Sequence, residues 1–207
     1  MMIAIIDYGV GNLFSLNASL KKIGVWAKVT SDFDEIRAAD RLILPGVGAF
    51  ADAAETLRLN GLDALIKKEV SNGKEILGIC LGMQLLFEES YEYGTHKGLG
   101  LLKGRIVPME GKIPSDLKIP HIGWNSLNIK KNCPLLRKTK DGDYVYFVHS
   151  FFAEDADESL AATTMYGIEM TAAVQKDNVA GCQFHPEKSG EAGLDILEAF
   201  CRKEGEK

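Results

Sequence analysis

Ile76-Leu77-Gly78-Ile79-Cys80-Leu81-Gly82-Met83-Gln84-Leu85-Leu86-Phe87 is the stretch on which the reading of this chain turns. Ile76 to Ile79 is a short apolar run of strand character, and Gly82 to Glu88 opens a helix. A continuously apolar strand that passes straight into a helix belongs to a parallel sheet covered on both faces. Between the two stands Cys80, with a glycine two residues to either side. The spacing Gly78-x-Cys80-x-Gly82 is that of the G-x-S-x-G nucleophile elbow, with sulfur in place of oxygen. A sharp strand-to-helix turn strains its central residue and demands small neighbours. It also leaves the side chain at a helix N-terminus, where free N–H groups favour an anionic sulfur and the Leu81 N–H is placed for a developing oxyanion. The plainer alternative is a buried structural cysteine between packing glycines.

Toward the N-terminus the same alternation repeats. Ile3 to Ile6, Trp26 to Val29 and Arg41 to Leu44 read as strands. Leu13 to Ile23, Phe33 to Ala39, Ala49 to Leu59 and Leu62 to Val70 read as helices, with Ser31 and Asp32 capping the second and Asn60-Gly61 separating the last two. In such sheets ligands sit beyond the carboxyl ends of the strands, so loops 8–12, 45–48 and 80–82 are expected to share one edge. Gly46-Val47-Gly48 then neighbours the elbow, and its backbone suits a second oxyanion donor or simply a strand-to-helix turn. It lacks the Lys-Ser/Thr ending of a phosphate-binding loop.

Toward the C-terminus the pattern changes. Ile119 to Trp124, Leu127 to Ile129, Tyr144 to Val148, Leu160 to Tyr166, Met170 to Gln175 and Val179 to Gln183 are short strands with few helices between them, and Lys176-Asp177-Asn178 reads as a hairpin turn. A helix from Glu191 to Lys203 closes the chain, and the glycine-punctuated segment 88–118 reads as loose. The expected fold is therefore α/β, three-layered, with a mostly parallel central sheet flanked by helices and extra antiparallel strands in the second half. It is expected to form one domain over residues 1–207.

Gln183-Phe184-His185-Pro186-Glu187 ends the last strand. Pro186 holds His185 extended, and residues i and i+2 of an extended segment point the same way, so Glu187 can fix the His185 tautomer. That is the base-and-orienter half of a triad, or else a surface turn. Gln84 follows Cys80 by four residues and so shares its helix side, unless it is merely an exposed helix residue. His149-Ser150 follows a strand and is a candidate pocket wall. His96 and His121 read as surface or hydrogen-bonded loop residues, and Trp124 as core or rim.

Composition narrows the classes. The chain has 207 residues, 46% hydrophobic and 26% charged, with formal net charge −5. These values exclude a disordered or low-complexity chain, and no basic stripe suggests a nucleic-acid partner. No apolar run approaches the ~20 residues of a membrane span. Met1-Met2-Ile3 leads directly into a strand without a basic leader, so export is not expected. Four scattered cysteines fit reduced thiols better than disulfides, and the four histidines show no metal-binding spacing.

Several stretches occur together: Ile6-Asp7-Tyr8-Gly9-Val10-Gly11-Asn12, Leu44-Pro45-Gly46-Val47-Gly48-Ala49-Phe50, Gly78 to Glu88, Pro120-His121-Ile122-Gly123-Trp124-Asn125, Tyr146-Phe147-Val148-His149-Ser150 and Gln183 to Ser189. With them, from residue 3 to about 200, the chain resembles class I glutamine amidotransferases. Asp7-Tyr8-Gly9, Pro120 to Asn125 and Val148 to Ser150 look most like the glutaminase subunits of imidazole glycerol phosphate synthases, in histidine biosynthesis. The resemblance implies Cys80 as nucleophile, His185 as general base then acid and Glu187 as its orienting carboxylate. Val47 and Leu81 would supply the oxyanion N–H groups. Gly46, Gly48, Gln84, Glu92, His149, Ser150 and Phe151 would surround glutamine. It implies no cofactor and no metal, a cytoplasmic enzyme, and a (β/α)8-barrel cyclase subunit as heterodimer partner, with Asn12, Trp124 and Lys188 near the interface. The rival readings are a cysteine peptidase on a similar sheet and a non-catalytic scaffold subunit.

Overall fold

The structure is a computed structural model, and it describes residues 1–202. The first half alternates strand and helix. In chain order it runs β1 (Ile3–Ile6), α1 (Leu13–Lys22), β2 (Ala27–Thr30), α2 (Phe33–Ala38), β3 (Arg41–Leu44), α3 (Phe50–Leu59), α4 (Leu62–Ser71), β4 (Glu75–Ile79) and α5 (Leu81–Leu85). The second half is mostly strand. It comprises β5 (Glu89–Ser90), β6 (His96–Lys97), β7 (Arg105–Pro108), β8 (His121–Ser126), β9 (Asn128–Ile129), β10 (Tyr144–His149), β11 (Phe151–Glu154), β12 (Leu160–Tyr166), β13 (Ile168–Lys176), β14 (Val179–Cys182) and α6 (Gly190–Cys201). Lys203, where the expected last helix ended, lies outside the described residues.

An eight-stranded sheet in the order β2-β1-β3-β4-β14-β13-β12-β9 forms the middle layer. Its first five strands are parallel and the remaining three antiparallel, as the two halves of the sequence suggest. Successive residues of a strand face opposite sides. Accordingly Ala4, Ile6, Leu42, Leu44 and Ile76 pack with Phe50, Leu57, Leu62 and Ile66 of α3 and α4. Ile3, Ile5, Ile43, Leu77 and Ile79 pack with Leu16 and Leu20 of α1 and Ile196, Leu197 and Phe200 of α6. The result is helix, sheet, helix. Among the described residues, no helix is long and apolar enough to cross a membrane.

The structure corrects the reading of segment 88–118. It carries β5, β6 and β7, which join β11 in a four-stranded sheet of order β11-β7-β5-β6. Two of its glycines, Gly98 and Gly104, permit close backbone approach rather than looseness. A Cβ on Gly104 would lie 2.6 Å from the Glu154 carbonyl oxygen, and one on Gly98 would overlap the Phe87 carbonyl. Strands of two to four residues carry too few positions to show alternation in the sequence. A separate hairpin pairs β8 with β10, placing His121 opposite His149.

Candidate active site

The elbow forms at the end of β4, between β3 and β14. Cys80 adopts φ 53° and ψ −112°, a backbone conformation that non-glycine residues rarely enter and that marks stored strain. The neighbouring glycines explain how the turn closes. A Cβ on Gly78 would sit 2.6 Å from Met83 Cα, and one on Gly82 would overlap the Leu44 carbonyl oxygen. The Cys80 N–H donates to the Cys182 carbonyl at 2.8 Å, locking the elbow to β14. The helix that follows has five residues rather than the seven expected, so few peptide dipoles align behind the sulfur. Anion stabilisation there falls mainly to the free first-turn N–H groups.

Loops 45–48 and 80–82 meet as expected. Gly46 is buried where a side chain would strike the Tyr8 hydroxyl at 2.7 Å and the Gly82 N at 2.9 Å. Gly46 is thus a close-packed spacer against Tyr8 and the elbow. Tyr8 donates its hydroxyl to the Pro45 carbonyl at 2.7 Å, and burial followed by the nearby Cys80 charge makes the phenol harder to ionise.

Beyond the neighbouring parallel strand β14, His185 enters the same edge. Its turn is stitched to β10. The His185 N–H donates to the Tyr146 carbonyl at 2.9 Å, the Tyr146 N–H donates to Ser189 Oγ at 2.9 Å, and that hydroxyl donates to the His185 carbonyl at 2.6 Å. His185 Nδ1 lies 2.9 Å from Glu187 Oε1, both side chains being buried. The i, i+2 pairing read from the sequence therefore forms. A carboxylate can only accept, so Nδ1 carries a proton and Nε2 is the working nitrogen. Nε2 is buried without a hydrogen-bond partner, as is Glu187 Oε2. Burial pulls the His185 pKa down, but interaction with Cys80 and then Glu187 outweighs it and lifts the value to about 9. A charged imidazolium at His185 is the state this favours.

A cavity of about 360 Å³ is lined by Val47, Gly48, Cys80, Leu81, Gln84, Glu92, His149, Ser150, Phe151 and His185. The structure brings all these expected residues to one place. Tyr93, Pro120 and Val148 also line it and were not singled out in the sequence. Glu92 also supports the fold: its Oε2 accepts the Phe50 N–H at 2.7 Å and so caps α3, whose own N-cap residue, Ala49, provides no side-chain cap.

Gln84 is buried, not an exposed helix residue. Its amide nitrogen donates to the Phe151 carbonyl at 3.1 Å and to Gln183 Oε1 at 3.0 Å. The Gln183 amide nitrogen in turn lies 3.8 Å from Cys80 Sγ. Gln183 was missed as a site residue, although its place one step past β14, beside the elbow, was the available signal. His121 is also corrected. It lies on β8 and is 3% exposed, not a surface or loop residue. Trp124 is rim, edge-on to Tyr146 at 6.2 Å between ring centroids, and Lys188 lies over the same Tyr146 ring at 5.7 Å. Asn12 reaches Glu187 Oε1 at 3.4 Å.

Residues 4–203 match the family described as glutamine amidotransferase class-I. A protein described as imidazole glycerol phosphate synthase subunit HisH, from Caldanaerobacter subterraneus, is 54% identical over 200 residues, covering 96% of this chain and 97% of that one. The Bacillus subtilis protein of the same description is 50% identical over 208 residues, covering 99% and 98%. Among solved structures, PurLQS from Thermotoga maritima superimposes with a TM-score of 0.76 at 22% identity, covering 96% of each chain, and shows the shared fold. A cysteine elbow and a histidine–glutamate turn meeting at one cavity, inside a full-length match of this kind, lead to one conclusion: the chain belongs to the class I glutamine amidotransferases.

Proposed function

We propose that the chain is the glutaminase subunit of an imidazole glycerol phosphate synthase, acting in histidine biosynthesis through a Cys80–His185–Glu187 triad. The observation that carries this reading is the meeting of the strained Cys80 and the Glu187-oriented His185 at one cavity, lined by Gln84, Glu92, His149 and Phe151.

The Cys80 sulfur attacks the side-chain amide carbon of glutamine, and the carbonyl oxygen becomes an oxyanion held by the N–H groups of Val47 and Leu81. His185, charged through Nε2, gives its proton to the leaving nitrogen as the C–N bond breaks. Ammonia departs and a γ-glutamyl thioester remains on Cys80. His185, now neutral, takes a proton from water, whose oxygen attacks the thioester carbon. Collapse releases glutamate and restores the sulfur anion beside imidazolium. Glu187 holds Nδ1–H throughout, so Nε2 always faces the reaction.

Free ammonia in neutral water is mostly ammonium and a poor nucleophile. The reading therefore assigns the ammonia to a (β/α)8-barrel cyclase subunit docked over this end of the sheet. Exposed Trp124, Lys188 and the Asn12 loop are grouped there around Tyr146 and Glu187. The four cysteines are free, which fits a reducing cytoplasm. Family membership favours this reading over a cysteine peptidase.

The test is Cys80→Ala in the full-length chain with its synthase subunit. Glutamine hydrolysis is expected to fall by about 10⁴-fold or more, as when other catalytic nucleophiles are removed. Synthesis fed by ammonia in solution persists. Glutamine turnover by Cys80→Ala at the unsubstituted rate refutes the assignment.

A further inference from the structure

The His121 side chain is not part of the cavity wall but meets it at His149, and its ring is committed at every edge. It stacks between Phe147, at 4.8 Å and 22° between planes, and Tyr166, at 4.1 Å and 21°. Its Nδ1 is 3.1 Å from His149 Nε2, and its Nε2 is 3.3 Å from the Asn125 side-chain amide nitrogen. His149 Nδ1 is 2.9 Å from the Phe151 carbonyl.

The direction of every hydrogen bond in this series follows from its end. A carbonyl only accepts, so His149 Nδ1 must carry hydrogen. Burial holds His149 neutral, its pKa pushed down to about 3, so its Nε2 is a lone-pair acceptor. His121 Nδ1 must then donate, and His121, also held neutral by burial with its pKa lowered to about 4, accepts at Nε2 from Asn125. Asn125 is fixed independently: its amide nitrogen donates to the Met165 carbonyl at 2.9 Å, and its oxygen accepts the Ser126 N–H at 2.8 Å. Both histidines are therefore Nδ1–H tautomers.

The series continues past Phe151. The same carbonyl accepts from Gln84, which donates also to Gln183, whose amide nitrogen faces Cys80 Sγ at 3.8 Å. Both lone pairs of the Phe151 oxygen are used. Movement of His149 therefore shifts the acceptor on which Gln84 depends.

We propose that His121 is a positioning residue for the cysteine chemistry: by donating to His149 Nε2 it holds that ring against the Phe151 carbonyl, which sets its tautomer, and, through that shared carbonyl and the Gln84–Gln183 pair, sets the hydrogen bond that reaches the Cys80 sulfur. The proposal rests on the glutaminase reading for its kinetic readout only. The relay starts on the β8–β10 hairpin, whose outer side chains Ile122, Trp124 and Tyr144 are exposed. A ligand or subunit pressing on that hairpin thus has a polar connection to the nucleophile.

Two substitutions separate the donor from the ring. His121→Phe keeps the stack between Phe147 and Tyr166 and deletes the donor. His121→Asn keeps a donor near the Nδ1 position and deletes the ring. Each is made in the full-length chain, assembled with its synthase subunit for kinetics. His121→Phe is expected to melt only modestly lower, since the stack persists while His149 Nε2 loses its donor, and to lose about tenfold in kcat/KM for glutamine, the equivalent of one hydrogen bond. It also slows alkylation of Cys80 by iodoacetamide. His121→Asn is expected to melt lower and to keep kcat/KM within about threefold. Nitrogen-15 NMR of labelled histidines shows two neutral Nδ1–H rings in the unsubstituted chain, and in His121→Phe a His149 that keeps its hydrogen on Nδ1 but whose Nε2 resonance moves because it has lost its donor.

A purely structural role makes turnover follow melting, so that His121→Asn, the lower-melting variant, is also the slower on glutamine; that turnover order overturns the proposal. So does a His149 that carries its hydrogen on Nε2 in the unsubstituted chain. An unsubstituted enzyme that hydrolyses no glutamine defeats the functional reading instead, and tautomer and alkylation rate still decide the relay.

Discussion

The two halves of the molecule place their reactive groups by different means. In the parallel half, Cys80 is set by shape: an apolar strand, a strained backbone and glycines without room for a methyl group. In the second half of the chain, His185, just past the parallel strand β14, and the cavity wall beside it are set by polar stitching, through Ser189, Tyr146, His121 and His149. Steric placement is local and indifferent to pH. Polar placement is distributed and titrates.

The sharpest way to break this contrast is Gly82→Ala. Its Cβ would overlap the Leu44 carbonyl oxygen, which belongs to the sheet core and has little room to shift. A loss of about 3 kcal/mol or more in denaturant unfolding is expected, at the upper end of overpacking costs. A stable Gly82→Ala protein means the elbow is not sterically fixed.

Glu187→Gln probes the polar half. It is nearly isosteric, so unfolding should change little. Glutamine turnover should fall about 10²-fold or more, because an amide can orient His185 wrongly and cannot stabilise imidazolium. Steady-state kinetics decides, and an unchanged rate would remove Glu187 from the triad.

A milder effect is expected from pH. His121 and His149 titrate at about 4 and about 3 in the folded chain, below the ordinary 6.5. The stability they contribute is full above pH 6.5 and is lost as pH falls toward those values. His185 has the opposite sign. Raised to about 9, it contributes fully below pH 6.5 and loses that contribution as pH rises through 9. Denaturant midpoints should decline on both sides of near-neutral pH, and His121→Phe should flatten the acid limb. An acid limb of unchanged steepness contradicts the neutral histidine pair.

The same contrast explains what the sequence disclosed. Three of the parallel strands were legible because each is a largely apolar run ended by turn residues, in Ile3–Ile6, Arg41–Leu44 and Ile76–Ile79. Cys80, His185 and Glu187 were legible because each has its partner or constraint within two residues. His121 and Gln183 were not. Their roles depend on His149, Gln84 and Cys80, brought together only by β8–β10 pairing and by β14 lying against β4. The four-stranded sheet was hidden for a related reason. Its strands are too short to show a period, and glycines such as Gly104 serve contacts with β11, whose residues lie some fifty positions away.

The central claim is that Cys80 alone is an activated sulfur in a glutamine-shaped site. The direct measurement is mass spectrometry of the full-length chain, with its synthase subunit, after treatment with an electrophilic glutamine analogue. The account predicts one adduct, on Cys80, suppressed by glutamine and much slower in His185→Ala, while Cys133, Cys182 and Cys201 stay unmodified. Labelling spread over the other cysteines, or labelling of Cys80 that glutamine does not prevent, contradicts it.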